Sequence, residues 1–332
     1  MTLDWWIELV VKAVVVFAVL LTAIAYSVLV ERRVLAHIQA RIGPNRVGYQ
    51  GLLQPIADAL KLISKEFIIP KAANRIVFVL APVLSMTPAL LTFSVIPFGD
   101  SIHIFGRDVA LRLTDVNIAV LFILALSSIS VYGAFLGGWS SNNKYSLMGS
   151  VRASAQMISY ELILGLAVVS VVLLSSSFSL VDIVNAQRPM WNIVYQPLGF
   201  VLFFVGSMAE INRVPFDLPE AEPELVSGYH TEYSGMWFAL YFLGEYAHLI
   251  TVTSMTTLLF LGGWLVPWPS PAWMAPIWFM GKVAFLIFFM MWTRGTLPRI
   301  RFDQLMRLGW KVALPAALLN IFVTALFLAL TQ

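Results

Sequence analysis

Eight stretches of this 332-residue chain are apolar for about twenty residues at a time, and that pattern decides the class of fold. They lie near 8–30, 76–97, 116–138, 156–175, 193–213, 238–262, 273–293 and 311–330. Crossing a bilayer takes roughly 20 mostly apolar residues. A backbone inside hydrocarbon has no water to bond, so each stretch reads as a helix. The expected fold is all-α and polytopic, one integral membrane domain over 1–332 with about eight spans. Hydrophobic residues make up 59% of the chain and charged residues 12%, whereas a soluble domain carries about twice that charged fraction. No internal repeat of fixed period is visible, which speaks against an inverted-repeat transporter. The first stretch is long enough to span and lacks a small-residue cleavage site, so it reads as a span and not as a signal peptide.

Orientation follows from loop charge. With the N-terminus outside, sixteen of the 21 Lys and Arg fall on the inner side, from Arg32 and Arg33 in the first loop to Arg307 and Lys311 in the last. Lys12, Arg107, Arg112 and Arg188 fall outside, and Lys282 lies within a span. The positive-inside rule then places both termini outside. The net charge of +3 reads as this orientation and not as a nucleic-acid face, because no basic run lies away from the membrane flanks.

Two connections carry structure of their own. Over 51–67, Leu53, Ile56, Leu60, Ile63 and Phe67 recur at helical spacing opposite Gln54, Asp58, Lys61 and Lys65. That stripe predicts an amphipathic helix lying on the cytoplasmic interface. The outer stretch 101–113 alternates about Gly106-Arg107-Asp108 and predicts a short periplasmic β-hairpin. The tryptophans at 264, 268, 273 and 278 read as an interfacial belt, and Lys12 and Lys282 as side chains snorkelling to the outer surface.

The absence of cysteine removes disulfides, thiolate-held Fe–S clusters and thiol chemistry from this chain. The four histidines show no metal-ligand spacing. Any redox chemistry must therefore use a partner's centre or a diffusible substrate. What remains is an unusual set of acids. Ionisable residues inside spans are functional candidates, and Glu161, Glu210 and Glu245 come from three consecutive spans at similar depth. Arg213, three residues after Glu210, is the nearest pairing candidate. The loop 213–237 is the most acidic of the chain, with Asp217, Glu220, Glu222, Glu224 and Glu232. Solvation alone is the bland account of such a loop. Its junction with Glu210 and Glu245 favours proton handling, which Tyr229, His230, Tyr233 and His248 could extend. A third cluster joins Glu31-Arg32-Arg33 to the turn Gly43-Pro44-Asn45-Arg46-Val47-Gly48 and to Asp58 and Lys61. An interfacial helix beside a bundle makes an apolar entrance with a polar rim, suited to a lipid-soluble ligand.

These motifs, in this order, resemble one family along essentially the whole chain: the quinone-site membrane subunit (the H-type subunit of bacteria) of proton-pumping NADH:quinone oxidoreductase, respiratory complex I. Carrying the resemblance are Glu31-Arg32-Arg33, the Gly43–Gly48 turn, Asp58-Ala-Leu-Lys61, Gly138-Trp139-Ser-Ser-Asn142-Asn143-Lys144, Arg152-Ala-Ser-Ala-Gln156, Pro215-Phe-Asp217-Leu-Pro219-Glu220-Ala-Glu222, Gly228-Tyr229-His230-Thr-Glu232-Tyr233 and Leu297-Pro298-Arg299-Ile-Arg301-Phe-Asp303. The resemblance implies a subunit without a redox centre of its own, working with FMN and Fe–S clusters in partner subunits and with quinone as substrate. It implies quinone-cavity roles for Glu31, Arg32, Arg46, Asp58 and Lys61. It implies a proton path through Glu161, Glu210, Asp217, Glu220, Glu222, Glu224 and Glu245, and a bacterial inner membrane in preference to a mitochondrial one. Two other readings stand beside it: the related membrane subunit of a hydrogenase-type or ferredoxin-linked complex, and a stand-alone ion transporter.

Overall fold

The computed structural model describes residues 3–104, 107–218, 225–268 and 271–331, and it is a bundle of long helices. Helix α1 (Leu3–Ile38) is followed by a short α2 (Gln54–Ser64), then α3 (Arg75–Leu91), α4 (Ala119–Ser140) and α5 (Lys144–Ser175). Two small helices, α6 (Leu180–Ala186) and α7 (Asn192–Tyr195), lead into α8 (Pro197–Glu210). The chain closes with α9 (Gly235–Phe260), α10 (Ala275–Thr296), α11 (Phe302–Leu308) and α12 (Leu314–Thr331). By length and composition six helices can cross a membrane: Trp6–Ile38, Arg75–Ser94, Ala119–Ser140, Lys144–Ser175, Ala272–Thr296 and Phe302–Leu330. The two other expected spans, 193–213 and 238–262, fall on α8 and α9, and each has a physical reason to differ. This is an all-α, multi-pass membrane protein.

Helix α9 is 26 residues long, and every residue from Leu249 to Phe260 is buried. Its neighbours are α1, α3, α5, α8 and α10. A helix walled by protein need not be apolar all round. Accordingly α9 carries Glu245, His248 and a run of threonines whose hydroxyls bond back to its own carbonyls, as Thr253 does to Leu249 at 2.9 Å. Close helix contact in such bundles depends on small residues. At Gly133 of α4 a Cβ would sit 2.7 Å from the Ser85 backbone nitrogen of α3, so only glycine permits that approach.

Helix α8 is shorter than a span because Pro197 disfavours helical geometry in Gln196, which adopts φ −130°, ψ 54°. The polar side chain at this break is satisfied from α12: Gln196 donates to Thr324 at 2.6 Å and accepts from Asn320 at 2.7 Å. A wide π-turn over Gly309–Ala313 joins α11 to α12. It lies just before Pro315, which cannot donate to the Lys311 carbonyl.

The expected amphipathic helix forms, but over Gln54–Ser64 in place of 51–67. Pro55 sets its first turn and Lys65 is already extended. Phe67 lies past its end, edge-on to Trp237 with ring centroids 6.2 Å apart. Ile56, Leu60 and Ile63 are exposed, while Gln54 and Asp58 turn toward the protein. The hairpin also forms, more tightly than expected: β1 (Ser101–Ile104) pairs antiparallel with β2 (Arg107–Ala110), Ser101 opposite Ala110 and Ile104 opposite Arg107. Arg107 and Asp108 are therefore strand residues.

Lys282 does not snorkel. Its ammonium donates to the carbonyls of Leu261, Gly263 and Leu265 at 2.7, 2.9 and 2.6 Å and lies 4.3 Å from the centre of the Trp191 ring. It thus cements the turn after α9 to α10 and to the segment before α7. Lys282→Met is expected to cost about 2–3 kcal/mol of stability, the range for hydrogen bonds to a charged group, seen as a lowered melting temperature of the purified protein in detergent. A snorkelling lysine would give less than ~1 kcal/mol.

Candidate functional site

Adjacent residues on a helix point about 100° apart, and α1 uses this to serve two places. Arg32 turns outward to α2, where its Nη1 lies 2.8 Å from Asp58 Oδ2; Gln54 donates to the other Asp58 oxygen at 3.0 Å. Glu31 turns inward and is buried. One of its oxygens accepts from Arg294 of α10, and the other from Arg213 and from the Tyr246 hydroxyl, the last at 2.8 Å.

Arg213 is the hub of this cluster. Its Nη1 meets Glu31, its Nε donates to Glu245 Oε1 at 2.9 Å, and its guanidinium lies 4.3 Å from the Tyr246 ring centre. The expected Arg213–Glu210 pair does not form. Helix α8 ends at Glu210, and the following turn, with Asn212 at φ 56°, carries Arg213 toward α1 and α9. That turn is itself held by Gln156 of α5, whose buried amide nitrogen reaches the Ala209 and Phe216 carbonyls at 2.7 and 2.8 Å. Two carboxylates and two guanidiniums thus form a balanced quartet. Such balance is what a low-dielectric interior demands of buried charge.

Glu210 belongs to a second group, one turn along α9. It accepts from the Ser127 hydroxyl of α4, and its Oε1 lies 3.3 Å from Nε2 of His248. Glu161 of α5 accepts from Ser128, the residue after Ser127, and lies within electrostatic reach of both Glu210 and His248. Glu245 and His248 are three residues apart and so share one face of α9. The quartet and the second group therefore meet on that face.

The remaining candidates divide. Arg46 and Lys61 are exposed, Lys61 one turn along α2 from Asp58. Arg33 ties the intervening loop to α1 by donating to the Gln50 carbonyl. Asp217 offers its backbone carbonyl to Arg299. Glu220, Glu222 and Glu224 lie outside the described residues. Glu232 accepts from Asn143 at 2.6 Å, which holds the loop to the start of α5. His230 packs against Phe238 and Tyr229, and burial pushes its imidazole down to about 4, so it stays neutral at pH 7. Burial also raises the Tyr233 hydroxyl, which donates to the Phe78 carbonyl at 3.1 Å while its ring stacks on Phe78. Sequence reasoning did not single out Tyr246, Arg294, Ser127 or Ser128. Among them only Arg294 carried a signal, as a charge directly after an expected span, which the structure extends to Thr296.

Fold and site together define a multi-pass membrane protein with a small set of ionisable residues inside its bundle; among the described residues no three acids or histidines are placed to hold a metal. Residues 11–325 match the NADH dehydrogenase family model. The chain is 55% identical over 319 residues to an H-type subunit of the NADH-quinone oxidoreductase of Geobacter metallireducens, covering 96% of each chain. It is 53% identical over 327 residues to the corresponding subunit of Syntrophotalea carbinolica, covering 98% of each, and 48% identical over 319 residues to that of Rhizobium meliloti, covering 95% and 96%. The chain belongs to the family of H-type subunits of NADH-quinone oxidoreductase, and it is a subunit of that multi-subunit enzyme.

Removing one partner of a buried ion pair costs about 3–5 kcal/mol, because the other charge is left uncompensated. Arg213→Gln is therefore expected to lower the thermal stability of the assembled complex sharply. Adding Glu245→Gln in the same chain, which leaves Glu31 paired with Arg294, should restore most of the loss, measured by melting in detergent.

Proposed function

We propose that this chain admits quinone beside α1 and α2, and that its buried acids pass the resulting change in charge and proton demand into the membrane part of the complex. The observation that carries the proposal is the face of α9 on which Glu245, tied to Arg213 and Glu31, stands one turn from His248, which faces Glu210 and Glu161. In a bundle that screens weakly, a charge altered at one end of such a row is felt at the next group.

Glu31 occupies the junction. One turn of its helix looks toward the rim made by Arg32, Asp58, Arg46 and Lys61, and the other toward the quartet. Beside it, between α1 and α10, a cleft of about 410 Å³ is lined by Val30, Arg33, Val34, His37, Phe288 and Trp292, a mainly apolar wall with basic edges. An amphipathic quinone, apolar in its tail and polar in its head, suits such a wall. The charged ends of α1, α2 and α11 face the side proposed to be cytoplasmic, where the hydrophilic subunits carrying FMN and the Fe–S clusters would dock. Reduction of quinone takes up two electrons from a partner's cluster and two protons. Glu161, Glu210, Glu245 and His248 are the groups here able to release or accept protons in response, with Glu220, Glu222 and Glu224 as further members of the path. The relatives' names say that those proteins work with NADH and a quinone; the same substrates are proposed here.

Glu210→Gln and Glu245→Gln, each in the assembled enzyme, are expected to lower NADH:quinone turnover and proton pumping at least fivefold. NADH oxidation by an artificial acceptor at the hydrophilic arm should be unchanged. Wild-type turnover and pumping in both variants would sink the proposal.

A further inference from the structure

We propose that a second cleft, opening at the hairpin end of the bundle, is a binding site for one acyl chain of a zwitterionic phospholipid of the phosphatidylethanolamine class. Its volume is about 610 Å³, and α1, α9 and α10 wall it with the β2 end of the hairpin across its mouth. Its lining runs along α1 from Val11 to Ser27, a rise of about 24 Å. It is apolar except for Ser27, Ser254, Lys12 and Arg112. The Ser27 hydroxyl is already turned to its own helix, 2.5 Å from the Ala23 carbonyl.

A single extended chain fits along this length, and the volume falls in the range of small-molecule sites.

Charge decides the headgroup. Each cation at the mouth is paired with a carboxylate: Lys12 with Glu8 at 2.6 Å, and Arg112 with Asp115 at 3.0 Å. The cations are the deeper partners, with side chains 22% and 30% exposed against 46% and 43% for the acids. A phospholipid headgroup has the same order, its phosphate near the chains and its ammonium farther out. Two neutral pairs with cations inward therefore match a zwitterion better than a net anion, which Glu8 and Asp115 would repel.

The test uses the assembled complex in nanodiscs of phosphatidylethanolamine doped with phosphatidylethanolamine bearing a diazirine on one acyl chain. After irradiation, labelled residues are mapped by peptide mass spectrometry. Labelling at Ala23, Phe279 and Val283 should exceed that at Val14 and Leu21, which α1 also exposes outside the cleft, by at least fivefold. It should fall at least fivefold when Ala284→Trp fills the cleft, and when excess unlabelled phosphatidylethanolamine, but not phosphatidylglycerol, competes. Equal labelling of Ala23 and Val14 overturns the proposal. So does displacement by a quinone in place of the phospholipid, or crosslinking of the lining to a neighbouring subunit. If Ala284→Trp does not assemble, the competition on the wild-type complex decides alone.

Discussion

A guanidinium shared by a buried and a half-buried carboxylate holds the functional part of this molecule together. Arg213 reaches Glu31 on α1 and Glu245 on α9 from the turn after α8, and Arg294 of α10 supplies the second positive charge. Neither Glu31 nor Arg213 could sit in this interior unpaired, because the desolvation of each is offset by its partners. The quartet therefore sets the relative positions of α1, α8, α9 and α10. Gln156 gives the turn after α8 a fixed seat on α5, so that the cation arrives where both acids can use it.

The second condition is the placing of α9. A helix facing lipid must be apolar, whereas one enclosed by protein may carry acids, an imidazole and hydroxyls if each finds a partner. Helix α9 meets that condition along its buried half through threonines bonded to its own backbone, and at its charged half through Arg213 and Glu210. Its enclosure also limits how change can travel. A helix buried over twelve successive residues does not rotate without displacing its neighbours. A charge altered near Glu245 is then felt at His248 by field and by proton position, with the scaffold held still.

Much of this was legible in the sequence because hydrocarbon is an unforgiving solvent. The apolar windows, the stripe that became α2 and the alternation about the hairpin all reflect backbone and side-chain constraints that act locally. The candidate acids Glu161, Glu210 and Glu245 stood out for the same reason, as charges where charge is unfavourable. What could not be read was partnership. Arg213 lies nearest Glu210 in sequence yet binds acids 182 and 32 residues away, since a turn with one left-handed residue redirects it. Ser127 and Ser128 look like ordinary small residues of a span, and only packing shows them donating to two different acids. Lys282 reads as a surface lysine until the carbonyls beyond α9 are seen to surround it.

One consequence concerns the length of α1. Its 36 residues extend about 54 Å, against roughly 30 Å of hydrocarbon. Even a tilt of about 40°, near the limit for such helices, leaves about 11 Å standing clear of the lipid. The helix thus crosses the lipid and runs on into water, with Arg32, Arg33 and His37 on the part beyond it. Anything that moves along it sheds its lipid surroundings gradually, on a single rigid support, before it meets the charged side chains at that end.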